Sequence, residues 1–392
     1  MNPEEYESLR GRLIDAVWRD LEPLVEQIEN TEHIPHETLW TRLLEMGALG
    51  LLIPAQYGGS GLTITQYLPL IAEISKVHGG IRALVHVHNS MCHALWELGS
   101  EEQRGEVLRR AVRGEASVAF ALTEPEHGTG RDVGTLALRD GAGGYRIRGR
   151  KWLITNSNFA SHFIVFARIP DGDVPVSLLV PRDARGFTIR GLPETMGCKG
   201  GQHGELTFAD VPVGADALLG EEGDGIAKME QALEISRVLV AASSLGTAER
   251  ALELSLAHAH DRVTFGKPIG TRQAVQRYLA EMAVDVYALR EMLRDAAAKW
   301  DRGERIPAEA AMCKVFGSEV VGRVTDRALL VHGGIGYTRA HDIERLYRDA
   351  RLNWLEEGTP TIQHMVIARE LLGGGARARA LAGATAKGRR ER

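Results

Sequence analysis

The stretch Ser117-Val118-Ala119-Phe120-Ala121-Leu122-Thr123-Glu124-Pro125-Glu126-His127-Gly128 is where the chain changes its hydrophobic period. Upstream, from Glu4 to about Glu115, apolar residues recur at three- and four-residue spacings, as in Leu13, Val17, Leu21, Leu24, Val25 and Ile28, and predict helices that face a core. From Ala116 onward they come in short continuous or alternating runs: Ser117 to Leu122, Tyr145 to Ile147, Phe163 to Ala167, Val176 to Val180 and Phe187 to Ile189. These runs predict strands. After Gly225 the helical period returns and lasts to about Leu372, with breaks near His260 to Pro268, Gly303 to Pro307 and Gly333 to Tyr337. Long helices on short connections predict an antiparallel bundle. The reading is α+β: a helical domain over 1–116, a β-domain over 117–224, a helical bundle over 225–375, and a basic tail over 376–392 that is expected to fray.

Two glycine-rich segments punctuate this order. Leu51 to Leu62 holds Pro54, Gly58, Gly59 and Gly61, which stop a helix and demand a loop. Asp140-Gly141-Ala142-Gly143-Gly144 opens no helix and lies between strands, so it predicts a hairpin turn rather than a phosphate loop. The 392 residues are 44% hydrophobic and 25% charged, as expected of a globular chain and not of a disordered one. Lys+Arg 47 against Asp+Glu 52 leaves a net charge of −5, which argues against nucleic acid as a partner. Cys92, Cys198 and Cys313 form no C-x-x-C pair and are expected as small buried hydrophobes in a reducing compartment. The first twenty residues lack a signal-peptide core, and no run approaches the ~18 apolar residues of a membrane span. A cytoplasmic location away from the membrane is expected.

His86, His88 and His93 share one helical stretch without the i, i+4 pair that sets two metal ligands on one face. His258 and His260 point to different sides of a helix, so solvated or capping roles are expected. The loops offer more. Thr123 to Gly130 concentrates hydroxyls and N–H groups at a strand end, as either a cradle for a polar heterocycle or an ordinary strand exit. Lys151-Trp152-Leu153-Ile154-Thr155-Asn156 sets an indole near a hydroxyl, suited to a flat aromatic ligand or to plain core. Arg262-Val263-Thr264-Phe265-Gly266-Lys267-Pro268-Ile269, followed by Gln273, places a guanidinium beside a glycine turn, as a pyrophosphate contact would. Within Trp354-Leu355-Glu356-Glu357-Gly358-Thr359-Pro360-Thr361-Ile362-Gln363, Gly358 can end one helix and Pro360 can start another. A carboxylate at that break is either a general base or a solvated helix-end charge.

Taken together and in order, these stretches resemble the acyl-CoA dehydrogenase family over almost the whole chain. The resemblance is carried by Leu52-Ile53-Pro54 to Gly59-Ser60-Gly61-Leu62, Val87-His88-Asn89-Ser90, Phe120 to Gly128 and Lys151 to Asn156. It continues through Glu205 to Pro212, Arg262 to Ile269, His332 to Tyr337, Glu344 to Ala350 and Glu357-Gly358-Thr359. It implies an N-terminal helical domain, a central β-barrel or sandwich domain and a C-terminal four-helix bundle, with FAD between the last two. It also implies a homotetramer, a dimer of dimers. By this similarity Phe120, Leu122, Thr123, Gly128 and Thr129, with Leu153, Ile154 and Thr155, would hold the flavin ring. Arg262, Phe265 and Gln273 would reach the FAD of a neighbouring subunit, Gly333 and Gly334 would let backbone approach the dinucleotide, and Thr359, Pro360 and Thr361 would complete the cofactor site. Thr129, Arg237 and Gly358 are the implied substrate contacts.

The implied reaction is α,β-dehydrogenation of an acyl-CoA, with Glu357 as base for the α-proton and flavin N5 as acceptor of the β-hydride. A carboxylate is too weak to deprotonate an ordinary thioester in water, so preset donors must stabilise the enolate-like oxygen, and desolvation must raise the carboxylate's basicity. An electron-transfer flavoprotein is the implied acceptor. A subgroup of the family carries its base one residue before the arginine matched by Arg237; Ser236 stands there, which leaves Glu357. Four departures stand out: Leu153 where Trp is frequent, Leu330 where Gln is common, a Gly128 to Asp132 stretch two residues longer, and Glu356 where Tyr is frequent. They leave open a thioester on an acyl-carrier protein, as in a biosynthetic acyl-carrier-protein dehydrogenase. A flavin oxidase or monooxygenase on the same fold, and a flavin-binding protein without turnover, are the competing expectations.

Overall fold

Asn2 starts the first helix: its side chain accepts the Glu5 N–H while the Glu5 carboxylate accepts the Asn2 N–H, so two orphan donors are satisfied at once. The computed structural model describes residues 2–127, 132–192, 194–201 and 203–373. The chain divides into two units, residues 1–232 and 233–392.

The first unit begins with helices α1 (Pro3–Ala16), α2 (Val25–Thr31), α3 (His36–Glu45), α4 (Ile64–Val77) and α5 (Gly79–Leu98), then two short turns, α6 (Glu101–Gln103) and α7 (Arg109–Val112). Helix α5 is buried almost all round from Gly79 to Leu95, as a central helix must be, and packs on α4 and on strand β1. His78 caps it, its ring nitrogen accepting the N–H groups of Gly80 and Ile81. The loop from Leu51 to Leu62 is folded on itself by main-chain bonds such as Gly61 N–H to the Ile53 carbonyl, 2.9 Å.

Strands β1 (Val118–Ala121), β2 (Leu136–Arg139), β3 (Tyr145–Ile154), β4 (His162–Ile169), β5 (Val174–Pro181), β6 (Phe187–Gly191) and β7 (Gly204–Val213) form one sheet, ordered β1-β4-β2-β3-β7-β6, with β5 paired to β4. β1 runs parallel to β4, while β2 and β3 form the expected hairpin across Asp140 to Gly144. Ala119, Ile147, Phe163, Val165, Val176, Val180, Leu206 and Phe208 make its core. Two strands exceed the sequence reading: β2, which is short, and β7, where a left-handed Asp210 interrupts the alternation of Leu206, Phe208 and Val211. β3 carries irregularities against β7 between Ile147 and Gly149 and again between Lys151 and Ile154. The second re-aims the end of β3, with Leu153 at φ +55°.

The second unit is helical. Helix α8 (Gly225–Asp261) enters it, and α9 (Gln273–Asp301), α10 (Pro307–His332), α11 (Asp342–Ala350) and α12 (Pro360–Leu372) complete it. A two-stranded hairpin, β8 (Val263–Thr264) with β9 (Lys267–Pro268), joins α8 to α9. At Gly317 of α10 an added Cβ would lie 3.2 Å from the Ala241 Cα of α8 and 3.5 Å from Leu289 of α9, so a missing side chain sets the closest approach of three helices. Glu234 of α8 accepts the Ile306 N–H at 2.9 Å, which ties the start of α10 to α8. The architecture is the expected one: helices, a curled β-sheet, then a helical bundle. Gly128, Thr129 and the tail from 376 lie outside the described residues. Among the described residues, no helix is long and apolar enough to cross a membrane.

Candidate active site

The implied flavin-facing residues of the first unit come from the ends of β1 and β3. Their two segments are stitched together: the Trp152 N–H donates to the Thr123 carbonyl at 2.8 Å, and Lys151 Nζ donates to the Leu122 carbonyl at 3.0 Å. Lys151 also pairs with Glu124 Oε1 at 2.7 Å, both side chains being buried. The Glu124 carboxylate takes three further donors, the Thr135 hydroxyl at 2.6 Å and the N–H groups of Thr135 and Gly134 at 3.0 and 2.6 Å. Burial opposes both charges. For Glu124 the Lys151 charge and these bonds outweigh it, so its pKa falls below the usual carboxylate range; for Lys151 burial wins and pushes the pKa down to about 8.

This clamp presents its outer edge to solvent. Phe120 and Leu122 are half-buried, Thr123 is exposed and Ile154 is buried. Trp152 and Leu153, 38% and 41% exposed, are not the core that a strand-end tryptophan suggests. The Thr155 hydroxyl is 3.1 Å from the Nδ1 of His203. His203 was not among the expected site residues; its nearest signal was its place before the Glu205 to Pro212 match.

In the second unit, Glu357 sits between the 3-10 turn Leu352–Trp354 and α12, at φ +55°, with Gly358 at φ +95°. Two successive left-handed residues point the chain sharply into α12, and at the first of them a side chain is strained by about 1–3 kcal/mol. The surroundings hold it there. The buried Gln363 Nε2 donates to the carbonyls of Glu357 and Gly358 at 2.8 and 3.1 Å, and Arg237 Nε donates to the Glu357 carbonyl at 3.4 Å. At φ +95°, where L side chains are rare, and with a Cβ that would lie 2.7 Å from that same Gln363 nitrogen, Gly358 is favoured as glycine. Behind the turn, Asn353 donates to Ser244 at 3.0 Å and its carbonyl accepts from Ser318 at 3.0 Å, fixing the approach to Glu357. The Glu357 carboxylate accepts from the Ser236 hydroxyl at 2.8 Å. Thr359 precedes α12 as its cap residue, Pro360 is its first residue, and Thr361 is exposed on its first turn.

The remaining expected residues gather at another place in the second unit. Arg262 and Gln273 are exposed, and Phe265, 95% exposed, occupies the left-handed turn of the β8–β9 hairpin. Ala259, Ile269 and Val331 form a small core that joins this hairpin to the end of α10, beside Gly333 and Gly334. His258 is not the solvated group expected: its ring stacks on His332 at 4.4 Å, and His332 is 4.4 Å from His341. Burial pushes the His332 pKa down to about 4. Ser236 and Arg262 are 26 positions apart on α8 and its end, about 39 Å at the helical rise. The structure thus brings Glu357, Arg237, Gly358 and Thr359 together, and joins the segment of Arg262 to that of Gly333 through Ala259, Ile269 and Val331, but it keeps these two groups apart within one chain.

The chain matches the acyl-CoA dehydrogenase N-terminal domain over residues 3–115, the middle domain over 119–211 and the C-terminal domain over 223–372. It is 36% identical to the probable acyl-CoA dehydrogenase YngJ of Bacillus subtilis over 377 residues, covering 94% of this chain and 98% of that protein. Its fold superposes on butyryl-CoA dehydrogenase from Megasphaera elsdenii with a TM-score of 0.91 at 31% identity, covering 95% and 99% of the two chains. A glutaryl-CoA dehydrogenase from Mycobacterium smegmatis, solved in complex with FADH2, matches with a TM-score of 0.89 at 26% identity, covering 96% of each chain. With a held carboxylate at the turn before α12, the stitched strand ends, and all three domains in register, the chain belongs to the acyl-CoA dehydrogenase family.

Proposed function

We propose that this protein is an FAD-dependent dehydrogenase that introduces a double bond between Cα and Cβ of an acyl-CoA thioester, with Glu357 as the base. The observation that carries the reading is the way Glu357 is held: main chain in the left-handed region, carbonyl tied by Arg237 and Gln363, carboxylate accepting from Ser236. A solvated helix-end charge needs none of these restraints.

The residues present suit FAD. The exposed apolar edge of Trp152 and Leu153, between the hydroxyls of Thr123 and Thr155, fits a flat heterocycle with polar rim atoms. At Gly333 and Gly334 nothing lies within 4 Å of an added Cβ, so backbone there is open to a dinucleotide. In this reading Phe120, Leu122, Thr123, Leu153, Ile154 and Thr155 hold the ring, and Thr359, Pro360 and Thr361 close the site. Arg262, Phe265, Gln273, Gly333 and Gly334 serve the FAD of a neighbouring subunit, which the distance of about 39 Å along α8 supports. When bound, FAD supplies the acceptor for the β-hydride.

Glu357 takes the α-proton from the thioester. Its main-chain N–H is the donor for the thioester carbonyl, whose oxygen gathers negative charge as the proton leaves. Arg237 and Gly358 line the substrate, and Arg237 also holds the turn. The working form is a homotetramer in the cytoplasm that passes electrons to an electron-transfer flavoprotein.

The test is anaerobic titration of the yellow holoprotein, at about one FAD per chain, with a panel of acyl-CoAs and acyl-carrier proteins. Bleaching of the flavin by an acyl-CoA is the expected result. Flavin that every thioester leaves oxidised would refute the reading, and bleaching by carrier-bound acyl groups alone would move the substrate to the carrier protein.

A further inference from the structure

We propose that Ser236 is the positioning residue for the Glu357 carboxylate, an inference that rests on Glu357 being the base. The restraints on the Glu357 main chain do not place its carboxylate, because a glutamate side chain keeps several rotatable bonds beyond Cα. The Ser236 hydroxyl restrains the carboxylate directly, donating to Glu357 Oε1 at 2.8 Å from a side chain buried on α8.

The other buried serines of the same helix bond locally. Ser243, Ser244 and Ser255 turn their hydroxyls onto the carbonyls four residues back, those of Leu239, Val240 and Ala251, at 2.9, 3.2 and 2.7 Å. That is the local bond a helical serine makes by default. The Ser236 hydroxyl reaches across to the turn before α12. A hydroxyl has one proton to donate, and the Glu357 carboxylate is placed to accept it. The neighbouring Arg237 holds the carbonyl of the same glutamate. Two consecutive residues of α8 therefore fix the two ends of Glu357, main chain and carboxylate.

The catalytic consequence is geometric. A base aimed at the α-proton from a single rotamer reacts from a near-attack position, whereas a carboxylate free to turn spends most of its time elsewhere. Misplacement of a reacting group by about 1 Å lowers rates on the order of 10²-fold. Losing one of several restraints should therefore cost about 10-fold or somewhat more.

Ser236→Ala and Ser236→Thr, each as the FAD-loaded full chain, test this. Alanine is the better helix former, so the variant folds. Anaerobic stopped-flow with a reactive acyl-CoA gives the limiting rate of flavin reduction and the thioester Kd separately. S236A should lower the limiting rate about 10- to 100-fold at unchanged Kd; S236T, which keeps the hydroxyl, should recover most of it. Carbodiimide labelling of Glu357 in the holoenzyme without substrate, read by peptide mass, should be faster in S236A than in the parent or S236T. A parental limiting rate in S236A overturns the proposal, as does S236T that is as slow as S236A, or labelling of Glu357 that S236A leaves unchanged. Glu357→Gln separates this from its premise. If E357Q reduces flavin at the parental rate, the base assignment falls first; if E357Q is inactive while S236A is fast, only the role of Ser236 falls.

Discussion

Replacing Lys151 with Met should loosen the flavin-facing edge of the first unit, and the structure sets the size of the effect. Lys151 is fully buried, paired to Glu124 at 2.7 Å, and it also holds the Leu122 carbonyl. Removing one member of a buried ion pair costs about 3–5 kcal/mol, because the other charge is stranded. Glu124 keeps the Thr135 hydroxyl and two main-chain N–H donors, which places K151M at the lower end, about 3 kcal/mol. Adding Glu124→Gln removes the stranded charge, so the double variant should be more stable than K151M. The pH dependence supplies an independent check. The folded-state pKa of Lys151, about 8, lies below its unfolded value of about 10.4, so between these pH values the unfolded chain holds a proton that the folded chain has released. Stability then rises with pH across that window on account of this residue, and K151M lacks the rise. Urea unfolding of the holoproteins at pH 7 and pH 10, followed by flavin fluorescence, measures both effects. The reasoning is refuted if K151M is within about 0.5 kcal/mol of the parent at pH 7, the usual range of a surface substitution, or if the gap narrows between pH 8 and pH 10.

Glu357→Gln keeps size and can still accept from Ser236, so FAD and thioester should bind while flavin reduction slows by at least ~10²–10⁴-fold, the contribution of a positioned base; a parental reduction rate would remove Glu357 from the chemistry. Arg262→Ala should weaken FAD retention about 10- to 100-fold, the equivalent of one charge-assisted hydrogen bond of ~1.5–3 kcal/mol, with FAD loss accompanying dissociation of the oligomer. Equilibrium dialysis with sedimentation reads both, and a monomer that holds its full FAD contradicts the shared site. Burial pushes His88 and His93 down to about 3 and 4, below the unfolded value of about 6.5. Their depressed values mean that stability present above pH 6.5 is lost as pH falls toward 4 and 3, when the unfolded chain binds protons that the folded one refuses. His88→Phe should reduce the proton uptake on unfolding at pH 5 by about one, and calorimetry in buffers of different ionisation heat that finds no reduction would show that His88 is not buried neutral.

The order of helices, strands and helices was legible because each element is a local hydrophobic period, and the change at Ala116 is visible within a dozen residues. The loops around Thr123, Lys151, Arg262 and Glu357 were legible for the same reason, as breaks between periodic stretches. Strand β7 was not, since a left-handed Asp210 shifts its inward residues out of strict alternation. Trp152 is exposed in phase with the alternation of β3, whereas the exposure of Leu153 and the burial of Ile154 follow from an irregularity in the register of β3 against β7, which no single strand encodes in its own composition. The contacts that turn candidate residues into a site lie further still from the local pattern. Lys151 meets Glu124 across 27 residues, Thr155 meets His203 across 48, and Ser236 meets Glu357 across 121. In sequence, Ser236 is a small polar residue inside a helix and Glu357 is a carboxylate at a break, with nothing to join them. Periodicity determines which face of an element is buried, but which side chain donates to which is decided by sheet register, by helix approach at residues such as Gly317, and by the two left-handed residues that turn the chain before α12.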